Sequence, residues 1–323
     1  MGRIGKYHAG ILDGLAGVDR ITIADPDESV AASVAESIGA GTGSIGTVID
    51  STEAVVITAA TSAHADLITR CVDAGKPTFC EKPISLDLES TNAVVDYVSA
   101  KGGRVQMGFQ RRFDPGYRAA RDLVESGEVG DIYTVRMAGH DPEPPHEGYI
   151  AHSGGLFRDF SVHDFDAIRF VTSREVTRVY AAGSVIGFPV FAKYDDIDTG
   201  AAVLHLEGGT LGILSVTRHN PLGYDIRMEL HGSGDSVVVG WDEHTPMRSL
   251  EPGAHQPTGP AYKNFQERFR DAYELELEAF LEFASGRRDN PCTVEDAREA
   301  LRVAVACDIS RTEQRPVELA EVS

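Results

Sequence analysis

The chain opens on MGRIGKYHAGILDGLAGVDRITIAD (residues 1–25), and the reading of this stretch decides the fold. Gly2 and Gly5 have the spacing of the last two glycines of G-x-G-x-x-G. In that turn the backbone approaches the pyrophosphate of a dinucleotide at a helix N-terminus. Residues 7–15 continue as the helix, and residues 21–25 (ITIAD) form a strand ending in Asp25, 20 residues after Gly5. A carboxylate at that place accepts hydrogen bonds from the adenosine ribose hydroxyls. Asp25 also fits a turn before Pro26, the weaker of the two readings. No Arg or Lys follows within several residues to hold a 2′-phosphate, so the pattern favours NAD over NADP. Gly2, Gly5 and Asp25 are therefore candidate cofactor residues.

The first glycine and the first strand of such a fingerprint are absent from the chain. The expectation is that Met1 is an internal methionine at the variable position of G-x-G, and that the natural protein starts some eight to ten residues earlier with a short Val/Ile-rich strand ending in glycine. Without that central strand the sheet keeps unpaired edges, binds NAD weakly and melts lower than the extended form.

Outward from this stretch, short β-branched runs alternate with helical ones. Strands are expected at 21–25, 54–58, 77–80 and 104–109, with helices over 27–38, 63–74 and 86–100. Strands separated by helices of this length indicate a parallel sheet of βαβ units. The glycine-rich tract 39–50 yields no strand. Past residue 130 the pattern changes to strands at 132–138, 176–184, 201–207, 210–217, 225–231 and 236–239, several joined by Gly-containing turns such as Glu207-Gly208-Gly209-Thr210. This is the pattern of a mostly antiparallel open sheet. Helices are expected over 160–170, 264–285 and 293–310. The division is an α/β dinucleotide-binding domain over 1–110 and an α+β domain over 111–323.

Two further segments carry chemistry. Cys80-Glu81-Lys82-Pro83 follows a strand and so sits at its carboxyl end, where ligands bind in open α/β sheets. A lysine there can donate to a substrate oxygen. On this segment alone a solvated surface Lys–Glu pair is the stronger reading. In Gly154-Gly155-Leu156-Phe157-Arg158-Asp159-Phe160-Ser161-Val162-His163-Asp164-Phe165-Asp166, Asp159 and His163 are four apart and project from one helix face. A carboxylate beside an imidazole orients its tautomer and raises its basicity, which suits proton removal from an alcohol. Asp164 and Asp166 are expected elsewhere on the helix surface. Taken alone, a first-turn aspartate and a satisfied, partly buried histidine explain the pair better.

The 323 residues hold 30 Lys+Arg against 50 Asp+Glu, a formal net charge of −20. A field of that sign repels phosphate backbones and anionic membrane surfaces, which excludes nucleic acid and membrane partners. Cys71, Cys80, Cys292 and Cys307 are scattered, with neither zinc spacing nor a disulfide framework, so no metal is expected and a reducing cytoplasm is. No apolar run has the length of a membrane span, and the N-terminal stretch lacks the apolar region of a secretion signal.

Together GRIGxxHA, the strand ending in Asp, AxTSAHADL, CEKP, GFQRRFDP and GGLFRDFSVHDFD resemble the glucose–fructose oxidoreductase/inositol dehydrogenase (Gfo/Idh/MocA) family over essentially the whole chain. EKP followed by GG…D…HD.D is specific to that family. The resemblance implies an N-terminal Rossmann domain, a C-terminal α+β domain whose open sheet mediates homo-oligomer formation (dimer or tetramer), and metal-free hydride transfer between NAD and a secondary alcohol of a cyclitol or sugar. It implies Lys82, Asp159 and His163 as the catalytic trio, Arg3, Ile4 and Asp25 along the dinucleotide's phosphates and adenosine side, and Thr61, His64 and Glu81 along the rest of the cofactor. Gln110 and Arg112 stand near the nicotinamide and substrate, and Tyr224 of Gly223-Tyr224-Asp225 reaches substrate hydroxyls. The expected activity is that of an NAD-dependent inositol 2-dehydrogenase. A dehydrogenase of another sugar or polyol, or a nucleotide-binding regulator without turnover, are the alternatives; the joint presence of Lys82, Asp159 and His163 favours an enzyme. Residues 139–153, which lead into the Asp159 helix, are the expected specificity loop.

Overall fold

The computed structural model describes residues 1–322. Two units divide the chain: Met1–Gln110 with Asp271–Arg298, and Arg111–Arg270 with the stretch from Glu299 onward.

In the first unit, α1 (Arg3–Gly14) starts directly after Gly2. β1 (Thr22–Ile23), α2 (Glu28–Ile38), β2 (Gly41–Thr42) and α3 (Ile45–Ser51) follow. Asp27 caps α2 by accepting from the N–H groups of Ser29 and Val30, and Ser44 caps α3 by accepting from Thr47 N–H. β2 and α3 lie in the glycine-rich tract where sequence reading placed no strand. Local caps define these elements, and they leave little trace in hydrophobic periodicity. β3 (Val55–Ile57), α4 (Thr61–Asp73), β4 (Thr78–Glu81), α5 (Leu88–Lys101) and β5 (Val105–Gly108) complete the alternation.

These parallel strands form two sheets, β1-β2 and β3-β4-β5. Helix α1 packs toward both sheets. Its Ala9 joins Ile23, Ala31 and Val34 in one core, and its Ile11, Leu12 and Leu15 pack on the core of Phe79, Leu277 and Phe280.

Leu277 and Phe280 belong to α10 (Arg270–Ala284), preceded by the short α9 (Phe265–Arg268). Sequence reading ran one helix through 264–285 and left it in the second domain. The structure breaks it at Phe269 and joins residues 271–298 to the first unit. The cause is packing: the rings of Phe79 and Phe280 lie 5.8 Å apart. Beyond the helix, Met107 N–H donates to the Cys292 carbonyl at 2.9 Å, and Asn290 Nδ2 donates to the Val105 carbonyl at 2.6 Å. That segment satisfies the outer edge of β5, a long-range need that periodicity cannot reveal.

The second unit is built on seven strands in the order β11-β10-β6-β9-β8-β7-β12. They are β6 (Ile132–His140), β7 (Val176–Ser184), β8 (Thr199–Leu206), β9 (Leu211–Thr217), β10 (Asp225–Gly232), β11 (Ser236–Val239) and β12 (Val317–Glu318). Only β6 and β9 run parallel; the other neighbours are antiparallel. β12, two residues long, was not foreseen. Alternating burial along β8 and β9 marks one covered face and one open face. α6 (Pro115–Glu125) and α8 (Val162–Thr172) pack together, and α8 lies on β6. The open face carries Tyr133, Tyr180, Val203, Leu211 and Ile213 in exposed positions. α7 (Glu147–Ser153) lies between β6 and α8, and α11 (Val294–Glu313) closes the fold near the C-terminus. Among the described residues no helix is long and apolar enough to cross a membrane.

Candidate active site

In the first unit, Gly2 is the N-cap of α1 and offers no side-chain cap, so the first-turn N–H groups of Arg3, Ile4 and Gly5 keep the arrangement that receives an anion. Gly5 is required by contact: a Cβ there would meet Thr58 Oγ1 at 2.7 Å and Met1 Sδ at 3.2 Å. The helix therefore lies directly on the end of β3, the role of the last glycine in the fingerprint. Asp25 follows β1; its carboxylate takes the Met1 ammonium and, at 2.9 Å, the N–H of Asp27. These residues fit a dinucleotide's pyrophosphate and ribose.

Thr61 opens α4, but His64 is spoken for. It is 1% exposed, with Nδ1 2.7 Å from the Pro83 carbonyl and Nε2 3.0 Å from the Ala59 carbonyl. It clasps the corners after β3 and β4 together, which accounts for the residue without a cofactor contact. Glu81 is held in the same way. Oε1 lies 2.6 Å from Nε2 of the buried His8, and Oε2 accepts the Lys82 N–H at 3.2 Å. The Glu81 carboxylate thus fixes the turn that carries Lys82, whose side chain is half-buried. His8, visible in GRIGKYHA, was not assigned this part in advance. Gln110 is buried at the unit's last residue.

In the second unit, Asp159 sits in a π-helical turn, Phe157–Ser161, that runs into α8. Such turns cluster at functional sites. Gly155, at φ 95°, enters it, and Asp196 Oδ1 accepts the Leu156 N–H at 2.9 Å. Asp159 Oδ1 accepts from the Tyr149 hydroxyl at 2.7 Å, and Oδ2 accepts from Arg218 Nη2 at 2.8 Å. The other arm of Arg218, Nη1, lies 3.3 Å from Asp141 Oδ2. His163 is half-buried in the first turn of α8.

Asp164 and Asp166, expected on the helix surface, are 1% and 0% exposed. Arg111 pairs with Asp164, and Arg112 holds Asp166 from Nε at 2.9 Å and Nη2 at 2.6 Å. The reading of Arg112 as a substrate group is corrected accordingly, because its fork is taken up by a buried carboxylate. Arg-Arg followed 50-odd residues later by Asp-x-Asp is a pair of internal clamps that only the fold brings together. Tyr224 is buried, its N–H donates to the Tyr262 carbonyl, and burial pushes its phenol up, so it stays protonated.

Arg158 ties the π-turn to α11 by donating to Asp308 Oδ2 at 2.7 Å. Burial pushes the Asp308 carboxyl up from 3.8 to about 6, against the pull of Arg158. A carboxyl raised in the folded state contributes its stability fully below its unfolded value, and that contribution is lost as pH rises through the folded one. Asp308→Asn is therefore expected to flatten the decline in melting temperature between about pH 4 and pH 7. An unchanged slope in scanning calorimetry would contradict the assignment.

Comparison with known proteins decides the family. Residues 1–109 match the oxidoreductase family with an NAD-binding Rossmann fold, and residues 117–238 match the GFO/IDH/MocA C-terminal domain. The chain is 36% identical over 316 residues to the myo-inositol dehydrogenase Hyg17 of Streptomyces leeuwenhoekii, covering 96% of this chain and 95% of the relative. It belongs to the GFO/IDH/MocA oxidoreductases. Among solved structures, a myo-inositol dehydrogenase from Corynebacterium glutamicum superposes with a TM-score of 0.89 at 34% identity, covering 98% of this chain and 96% of that one. The scyllo-inositol dehydrogenase of Lactobacillus casei, solved with bound NAD(H) and scyllo-inositol, gives 0.87 at 29% identity over 99% and 97% of the two chains.

As a GFO/IDH/MocA oxidoreductase the chain is an NAD enzyme, and the bare N-terminus of α1, Gly5 and Asp25 agree with that cofactor. Sequence reasoning missed Asp141, Tyr149, Asp196, Arg218 and His8. The first two lie inside the 139–153 segment singled out as a specificity loop. Arg218 and Asp196 had no local signal, since each follows or precedes an ordinary strand.

Proposed function

We propose that this oxidoreductase is an inositol 2-dehydrogenase, oxidising a ring CH–OH of myo-inositol or a close cyclitol. The observation that carries the reading is near-complete coverage by inositol dehydrogenases from several bacteria, in a chain whose sequence includes Lys82, Asp159 and His163. NAD, when bound, supplies the hydride acceptor. His163 takes the hydroxyl proton as the carbon–hydrogen bond is cleaved. Asp159 stabilises the imidazolium that forms, and Lys82 donates to the same oxygen while negative charge develops on it. Tyr224, kept protonated, donates to a neighbouring hydroxyl. Turnover tests the reading: NADH absorbance at 340 nm with myo-inositol, scyllo-inositol and a panel of aldoses at saturating NAD. Activity with aldoses and none with cyclitols would refute it.

Cofactor choice follows from Asp25, whose charge repels a 2′-phosphate. NAD is expected to be preferred, and Asp25→Ser to narrow the preference, chiefly through the KM for cofactor. A wild type that uses NADP better than NAD would contradict this.

The open sheet face with Tyr133, Tyr180, Val203, Leu211 and Ile213 supports association into a homo-oligomer, a dimer or tetramer. Four buried cysteines that form no disulfide support a reducing, cytoplasmic location.

A further inference from the structure

Arg218 follows β9 and is 3% exposed. Its backbone N–H donates to the Asp198 carbonyl at 2.8 Å, and its guanidinium lies 5.8 Å over the Phe160 ring. Nη2 is 2.8 Å from Asp159 Oδ2 and Nη1 is 3.3 Å from Asp141 Oδ2. One buried cation thus serves two carboxylates, and a third, Asp196, lies close enough to add to its stabilisation. Burial alone disfavours the charge on this guanidinium; the surrounding carboxylates more than reverse that.

We propose that Arg218 is a positioning residue for catalysis that keeps Asp159 ionised, with Asp141 beside it, throughout the pH range of turnover. The inference rests on the reading of Asp159 and His163 as the proton-transfer pair. Two carboxylates that share a site without a cation cannot both stay ionised, and one takes up a proton. A protonated Asp159 no longer stabilises an imidazolium at His163. Arg218 therefore fixes the lower pH at which the enzyme works, and it fixes geometry as well: Asp159 Oδ2 is held by Arg218 and Oδ1 by the Tyr149 hydroxyl from α7.

The groups that face Asp159 come from four elements. Arg218 approaches from the end of β9 and Asp141 from the end of β6. Tyr149 comes from α7, and His163 from α8, which continues the Asp159 turn. Asp196, before β8, holds the entry to that turn through Leu156 N–H. Its carboxyl is itself raised by burial, with Asp159 adding to the rise and Arg218 opposing it. Loss of the Arg218 charge acts on all three aspartates in the same direction.

The test compares wild type, Arg218→Met and Arg218→Lys in two measurements. The first is kcat/KM against pH from 5 to 9 with the best cyclitol and NAD. The acid limb of Arg218→Met is expected to move up by about one to two pH units. The loss should be roughly tenfold or more near pH 6 and much smaller near pH 9. Arg218→Lys should recover part of the shift, because an ammonium serves one carboxylate where the fork serves two. The second measurement is melting temperature against pH without substrate. The two aspartates, raised in the folded state of Arg218→Met, make the penalty relative to wild type grow from pH 4 to pH 8. If Arg218→Met does not fold, Arg218→Lys carries both tests with a smaller shift in the same direction.

A loss of activity equal at every pH, with the acid limb in place, would reduce Arg218 to a packing residue and overturn the proposal. So would a melting penalty that does not change with pH. The melting series also separates this proposal from the functional reading beneath it. An enzyme inactive on every cyclitol would sink that reading, and the pH dependence of the melting penalty would still decide the role of Arg218.

Discussion

Replacing His163 by alanine lowers turnover on the best cyclitol by roughly 10²–10⁴-fold, the usual worth of a positioned acid or base. Lys82→Ala falls in the same range. The effect should appear in kcat and in kcat/KM together, because both groups act on an oxygen whose charge changes only as the reaction proceeds. Melting temperature should stay near that of the wild type, since both side chains are half-buried and outside the cores. The Lys82 turn is held by Glu81 and His8 through backbone and carboxylate contacts, which the alanine leaves intact. His163→Ala with near wild-type turnover would remove it as the proton acceptor.

Arg112→Met should act in the opposite way, on stability and hardly on chemistry. The guanidinium is 8% exposed and grips Asp166, which is 0% exposed. Removing one partner leaves a buried charge without its counter-ion, at a cost of roughly 3–5 kcal/mol. For a protein of this size that lowers the melting temperature by roughly 4–7 °C. Replacing both residues, as Arg112→Met with Asp166→Leu, should recover much of the loss, because an apolar pair of similar volume needs no desolvated charge. If Arg112→Met instead melts like the wild type and raises the KM for cyclitol, Arg112 is a substrate residue after all.

These two residues show how far sequence carries toward a site. Lys82 and His163 stand out in the sequence because each sits in a compact motif whose spacing suggests its chemistry: a lysine after a strand, and a histidine four residues past an aspartate. Arg112 is adjacent to an equally suggestive motif, but its partner lies in another helix. Sequence shows that an arginine can reach a ligand; only the fold shows that Asp166 reaches it first. Glu81 and His64 make the same point. Each stands beside the residues that would line a cofactor, and each is held by a neighbour 73 or 19 positions away.

The fold follows the same division. Alternating β-branched runs and glycine-ended helices marked β3, β4 and β5, and alternating burial marked the open sheet. The order of that sheet, with β6 between β10 and β9, is set by pairings between distant segments that no local pattern records. The attachment of α10 to the first unit was equally hidden, since its apolar side fits any core and only contact with Phe79 selects one.

The central claim is that a carbon-bound hydrogen of inositol passes to the nicotinamide. The most direct measurement supplies myo-inositol deuterated on its ring carbons, with unlabelled NAD, and weighs the reduced nucleotide by mass spectrometry. The account predicts reduced nicotinamide carrying one deuterium from the ring, formed by the wild type and all but abolished in His163→Ala. NAD that binds yet stays oxidised in the presence of every cyclitol, or reduced nucleotide free of deuterium, would contradict it.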